Sequence, residues 1–160
     1  MLKLYKTIDG DLHYWETWEK SPKTAIIHWG LVGERGESKE ISSSLFSNCA
    51  KKVQADVSLR MKEGFAEIDP EDLRRLIVEY PIEGMGTEKD LEKRFALEDK
   101  LNEILGWSGL GNCDGGSIGS GTMEVCCFVV SFDIAKKVIE TKLKSTSFDD
   151  YTRIYDEDSP

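Results

Sequence analysis

The segment from Thr24 to Gly36 constrains the fold of this chain more than any other. An apolar run, Ala25-Ile26-Ile27-His28, ends on Trp29, and glycines follow at positions 30, 33 and 36. Apolar residues leading into spaced glycines describe a strand that enters a tight loop, because glycine reaches positive φ without a Cβ clash. Upstream, the pair Asp9-Gly10 stands between apolar runs and predicts a hairpin joining strands over 2–8 and 12–20. Ser21-Pro22-Lys23 turns the chain into a third strand over 24–29, and Glu37 to Ile41 predicts a fourth. Ser42, Ser43 and Ser44 offer hydroxyls to cap a helix. Phe46, Cys49, Ala50, Val53, Val57 and Met61 then recur at helical spacing as one buried stripe, and Gly64 is its natural stop.

Taken in order, Trp29-Gly30-Leu31-Val32-Gly33-Glu34-Arg35-Gly36, the helical stretch and Lys62-Glu63-Gly64-Phe65 resemble the WGR domain. That small module takes its name from Trp-Gly-Arg and occurs in poly(ADP-ribose) polymerases and in short bacterial proteins. The resemblance covers about residues 1–68 and implies an antiparallel sheet with one helix. It also implies that Trp29 helps bind a DNA end, by stacking beside a phosphate contact. The arginine of the motif is Leu31 here. Arg35 is the nearest replacement for the phosphate contact, and Lys39 lies on the following strand. The plainer reading of Trp29 is a core residue packed beside Trp15 or Trp18, because aromatic side chains bury large areas. No ADP-ribosyltransferase segment follows.

Asp69-Pro70-Glu71-Asp72 marks a boundary, since proline disfavours helix at the residue before it. Beyond it, Leu76, Val78, Tyr80 and Ile82 alternate as on a half-buried strand. Thr87 and Asp90 have capping-box spacing ahead of the apolar stripe Leu91, Phe95, Leu97, Leu101, Ile104 and Leu105, which Gly106 closes. Strands are expected over 107–113 and 123–130, a helix over 134–143 starting near Asp133, and a last strand over 151–155. The tail Asp156 to Pro160 reads as frayed. The order β-α-β-β-α-β is the ferredoxin-like split βαβ plan. The expected fold class is therefore α+β, with a WGR-like domain over 1–68 and a ferredoxin-like domain over 69–160.

Gly109 to Gly121 is rich in glycine, yet it fails the tests for a phosphate loop. No Gly-Lys-Ser/Thr opens a helix, and a strand follows. It reads as a wide hairpin or bulge between the central strands, with Asp114, Gly115, Gly116 and Ser117 left as a possible ligand nest. In the strand beyond it, Val125, Cys127 and Val129 share one face and Cys126, Phe128 and Val130 the other. Both faces are apolar, which points to something covering the second one and marks Cys126, Phe128 and Val130 as an interface. The four cysteines include no C-x-x-C pair, and adjacent Cys126 and Cys127 point apart. They read as buried small hydrophobes in a reducing compartment.

Net charge is −9. Residues 1–69 carry ten basic and eleven acidic side chains, and residues 70–160 eleven and nineteen, so the second half holds −8 of the total. That field favours a basic partner over a polyanion. The longest apolar run, Val125 to Val130, falls far short of the roughly 20 residues of a membrane helix. Without a signal-peptide core at the N-terminus, a cytoplasmic protein is expected. No nucleophile, zinc or metalloprotease motif accompanies His13 or His28, and the RNA-recognition signature of basic, glycine and aromatic residues is missing. The expectation is a non-enzymatic binding protein without metal or cofactor. Its partner would be a protein, as for a small acidic inhibitor or immunity protein that neutralises a toxin. The alternative is DNA-end binding through Trp29.

Overall fold

A computed structural model describes residues 1–44 and 48–159, which divide into two compact units, Met1–Asp69 and Pro70–Pro160. The fold is mixed α+β, with two four-stranded antiparallel sheets and three helices.

Unit 1 is a meander of β1 (Leu2–Ile8), β2 (Asp11–Ser21), β3 (Thr24–Leu31) and β4 (Glu37–Ser42), paired in sequence order. Asp9 and Gly10 both take positive φ, 53° and 94°, which is the twist a two-residue hairpin needs. Helix α1 (Cys49–Lys62) covers one face. Leu4, Trp15, Ile27 and Val57 form the core there, with Leu2, Trp29, Ile41, Val53 and Phe65 packed around it.

Of the apolar stripe expected on α1, Cys49, Val53 and Val57 face inward, whereas Ala50 and Met61 are exposed. Phe46 lies outside the described residues. The cap is Asn48 rather than a serine of 42–44, and its side chain accepts from Lys51 N–H. Ser43 contributes by accepting from Cys49 N–H at 3.0 Å. At the other end Gly64 sits at φ 93°, and Phe65 N–H reaches back to Arg60 O, the arrangement glycine permits just past a helix.

Unit 2 runs β5 (Arg74–Pro81), α2 (Glu88–Trp107), β6 (Gly111–Gly119), β7 (Thr122–Val129), α3 (Phe132–Leu143) and β8 (Arg153–Asp156). The sheet order β6-β7-β5-β8, antiparallel throughout, is that of the split βαβ plan. Thr87 and Asp90 make the reciprocal capping box. Leu76, Val78, Tyr80, Met123, Val125, Cys127 and Val129 are closed against Leu97, Leu101, Leu105, Ile139 and Leu143.

Three boundaries differ from the sequence reading. Residues 107–110 are helix end and turn, not strand. Gly109 (φ 66°) is the glycine that ends α2, with Leu110 N–H bonded to Leu105 O and Ser108 Oγ to Ile104 O. β6 is an edge strand rather than a central one. The acidic tail is not frayed through Ser159. Asp156 pairs with Arg74, Asp158 holds the Arg75 guanidinium at 2.7 Å, and Glu157 N–H bonds Arg75 O.

The structure also pairs Cys113 with Cys127 as a disulfide, against the expectation of four thiols. Their separation of 14 residues carries no local signature, and it is the β6–β7 register that sets them opposite one another. Cys49 and Cys126 remain free.

Leu101 is fully enclosed between α2 and the sheet. Leu101→Ala should cost about 2–5 kcal/mol, through lost transfer energy and a cavity that relaxes only in part. A urea titration followed by circular dichroism would measure it.

Candidate functional site

The two faces of the unit 1 sheet are finished by different chemistry. Opposite the helix-covered side, Tyr14, Glu16 and His28 are buried. Antiparallel pairing sets Glu16 against His28 and Tyr14 against Gly30. His28 Nδ1 lies 2.7 Å from Glu16 Oε1, and Lys3 Nζ lies 2.9 Å from the other carboxylate oxygen. His28 Nε2 lies 3.0 Å from the Tyr14 hydroxyl, which accepts Gly36 N–H at 2.9 Å.

The donors order themselves from the loop inward. The Tyr14 oxygen accepts Gly36 N–H, and its own hydrogen has two groups in reach, the Glu34 carbonyl at 3.5 Å and His28 Nε2 at 3.0 Å. The His28 ring donates from Nδ1 to Glu16, whose charge Lys3 balances. Buried polar groups hold their place when each is answered in this way.

This relay explains two of the three motif glycines. A Cβ on Gly36 would collide with the Trp29 carbonyl oxygen and the Tyr14 hydroxyl, and one on Gly30 would stand 2.8 Å from Gly36 Cα. Gly33 takes φ 97°, a left-handed position. The loop therefore folds back onto β3 against the tyrosine. An acid–histidine–hydroxyl series sealed from solvent positions this loop.

On the helix-covered side a pocket of about 190 Å³ opens between β2, β3 and the end of α1. Its walls are His13, Tyr14, Trp15, Trp29, Gly30, Arg60 and Phe65. Trp29 serves twice, packing beside the Trp15 core and lining the pocket. Cations ring the aromatic surfaces. Lys39 Nζ sits 6.0 Å from the centre of the Trp29 ring, and Lys6 Nζ sits 5.9 Å from that of Phe65. Arg60 holds Glu63 through Nη1 at 2.6 Å, while its Nε is buried with no hydrogen-bond partner among the described residues. Lys39 also pairs with Asp56 at 3.2 Å. Flat apolar walls with guanidinium and ammonium groups at the rim suit a planar ring carrying negative charge.

Sequence reasoning named Trp29 and Lys39 but not Arg60 or Phe65 as site residues. Arg35, its choice for the phosphate contact, stands exposed in the turn after β3 and is not among the pocket walls. The one local pointer to Arg60 is its place in the last turn of α1, just before the Gly64 stop.

In unit 2, Val125, Cys127 and Val129 face the helices, and Cys126 and Phe128 lie half-buried on the other side. Val130 is past the end of β7, its N–H bonded to Leu110 O. The second face is more polar than the β7 alternation alone implies. Arg153 forks onto Glu79 at 2.8 and 3.2 Å and lies over the Tyr155 ring, whose hydroxyl donates to Glu124, which also accepts from Ser117. The Tyr155 hydroxyl is pushed up to about 12 by burial and by its bond to Glu124.

Of the residues considered as a ligand nest, Asp114 and Gly115 fall in a register shift between Cys113 and Gly116. A Cβ on Gly116 would run into the Glu124 carbonyl oxygen, and Ser117 is already engaged by Glu124. Bulge geometry accounts for these glycines. Among the described residues no group of three or more His, Cys, Asp or Glu is arranged to hold a metal ion, and no helix is long and apolar enough to cross a membrane.

Burial raises the Tyr14 hydroxyl to about 12. The folded chain thus keeps a proton that the unfolded chain loses near pH 10, so this contribution to stability is complete below pH 10 and drains away between pH 10 and 12. Tyr14→Phe should flatten that part of a pH–stability curve. At neutral pH it should cost about 1–3 kcal/mol, because Gly36 N–H loses its acceptor. Chemical denaturation of both proteins across the pH range would read both effects.

No family model, no curated protein and no solved structure matches this chain.

Proposed function

We propose that the chain is a non-enzymatic binding protein whose unit 1 is WGR-like. Its contact site is the pocket between Trp29, Phe65 and Arg60, and its ligand is the end of a nucleic acid. One observation carries this reading. Arg60, from α1, shares a pocket with Trp29 and so stands where a phosphate contact is needed although Leu31 has replaced the motif arginine. Stacking a base or sugar on an aromatic face contributes about 1–3 kcal/mol, and an arginine supplies a fork matched to phosphate oxygens. Lys6, Lys39 and His13 add positive or protonatable groups around the same rings.

A second reading, a protein partner for unit 2, is favoured by Leu91 and Phe95. They lie one turn apart on α2 and are 39% and 52% exposed in an otherwise acidic unit. Phe95→Asp would abolish capture of a protein from host lysate on this reading. Recovery of nucleic acid alone by the parent chain would exclude it.

The leading reading is tested by fluorescence anisotropy with a short blunt duplex bearing a 5′ phosphate. Binding at low salt is expected, with log K falling linearly against log salt. Arg60→Ala should weaken it about tenfold and lower the salt slope by about one. Lys137→Ala, on α3, should leave it unchanged. No anisotropy change at low salt would remove nucleic acid from consideration.

A further inference from the structure

β6 is held to its sheet in an unusual way. It is an edge strand, with β7 as its one neighbour in the sheet. Four of its nine residues are glycines (111, 115, 116 and 119), which present no side chain to the core. Only Cys113 among the nine is buried. The ladder is also broken, because the register shifts between Cys113 and Gly116 and leaves Asp114 and Gly115 without direct partners. Where the central strands β5 and β7 are anchored by a row of buried apolar side chains, β6 buries one position. That position faces Cys127, its direct antiparallel partner, on the side packed against α2 and α3. Opposite residues in such a ladder have Cβ atoms within reach of a bond between short side chains. Two side-chain hydrogen bonds add to it: Cys113 N–H donates to Asn102 Oδ1 on α2 at 2.8 Å, and Ser117 Oγ donates to Glu124 on β7 at 2.8 Å.

We propose that Cys113 and Cys127 form a thiol-governed latch: as a disulfide they fix β6 to the sheet, and as two thiols they release the glycine-rich edge. The reductant is a small thiol of the glutathione class. One thiolate attacks the sulfur of Cys113, the less enclosed of the pair, forming a mixed disulfide and expelling the Cys127 thiolate. A second thiolate attacks the small-molecule sulfur of that mixed disulfide and expels the Cys113 thiolate. Two small thiols become one small disulfide, and their two protons pass to the two protein thiolates. Cys126 does not take part, because alternation directs it to the opposite face. Cys49 belongs to the other unit.

The full chain is the test. After equilibration with oxidised glutathione, unfolding in the presence of a maleimide and intact-mass measurement should give two labels, on Cys49 and Cys126. After reduced glutathione it should give four. Hydrogen exchange of the 111–119 amides should accelerate about tenfold or more on reduction, while amides of β1 to β3 are unmoved. A chain carrying Cys113→Ser and Cys127→Ser should exchange as fast as the reduced form and ignore the thiol. Cys126→Ser should keep the full response, which covers the case in which the double variant folds poorly. Four labels under oxidising conditions would overturn the proposal. So would two labels with exchange of 111–119 equal in both states.

Discussion

Both sheets are built so that one face is closed by helices and the other by polar side chains that answer one another. That second face is the demanding one. A polar group taken out of water without a partner costs several times what a made hydrogen bond returns. In unit 1 the series Lys3, Glu16, His28, Tyr14 and Gly36 N–H meets this condition end to end. In unit 2 Arg153, Glu79, Tyr155, Glu124 and Ser117 do so over β5 to β8. The loop after β3 follows from the first of these. Tyr14 holds Gly36 in place, Gly36 crowds Gly30, and the backbone at Trp29 is thereby fixed. The ring that both closes the core and lines the pocket thus inherits its position from a hydrogen bond on the opposite side of the sheet.

How much of this was legible in the sequence depends on the range of the interaction. The Thr87–Asp90 box, the Asp9-Gly10 turn and the Gly64 stop are local chemistry, and they stand in the structure as read. The end of α2 was misplaced because Gly106 and Gly109 both sit where a stop belongs, and only the positive φ at Gly109 separates them. The relay needed register. Ser21 faces Thr24 across the hairpin, and extending that pairing unbroken would set Glu16 against Trp29. A shift between Glu19 and Ser21 sets it against His28 instead. A single bulge therefore decides whether a carboxylate meets an indole or an imidazole, and nothing in the local sequence announces it.

The same limit hid the site. Arg60 reaches the pocket because α1 lies across β3, a packing relation between segments some thirty residues apart, whereas Arg35 is close to Trp29 in sequence and drew attention for that reason. Proximity along a strand that ends in a glycine turn is a poor guide, since the turn carries the next residues away from the face being read. Cys113 and Cys127 teach the same point: alternation correctly separated Cys127 from Cys126, but the partner it gained is set by a hairpin whose bulge had first to be placed.

Charge distribution then bears on what the pocket can select. The chain as a whole is −9, and most of that lies in residues 70–160. At physiological ionic strength, fields from exposed charges fade over roughly 8 Å. Residues 1–69, which hold the pocket, carry ten basic and eleven acidic side chains, so a long duplex lying across them would bring phosphates near about as many carboxylates as cations, which counterion release does not favour. Lys6, Lys39 and Arg60 are gathered around two rings and act over a few ångströms, with Asp56 engaging Lys39 and Glu63 engaging Arg60 by its carboxylate and Lys6 by its carbonyl. Such an arrangement rewards a ligand that concentrates a flat surface and one or two phosphates in a small volume and offers little to an extended polyanion. On the proposed reading, a near-neutral unit with a cationic aromatic centre favours nucleic-acid ends over tracts.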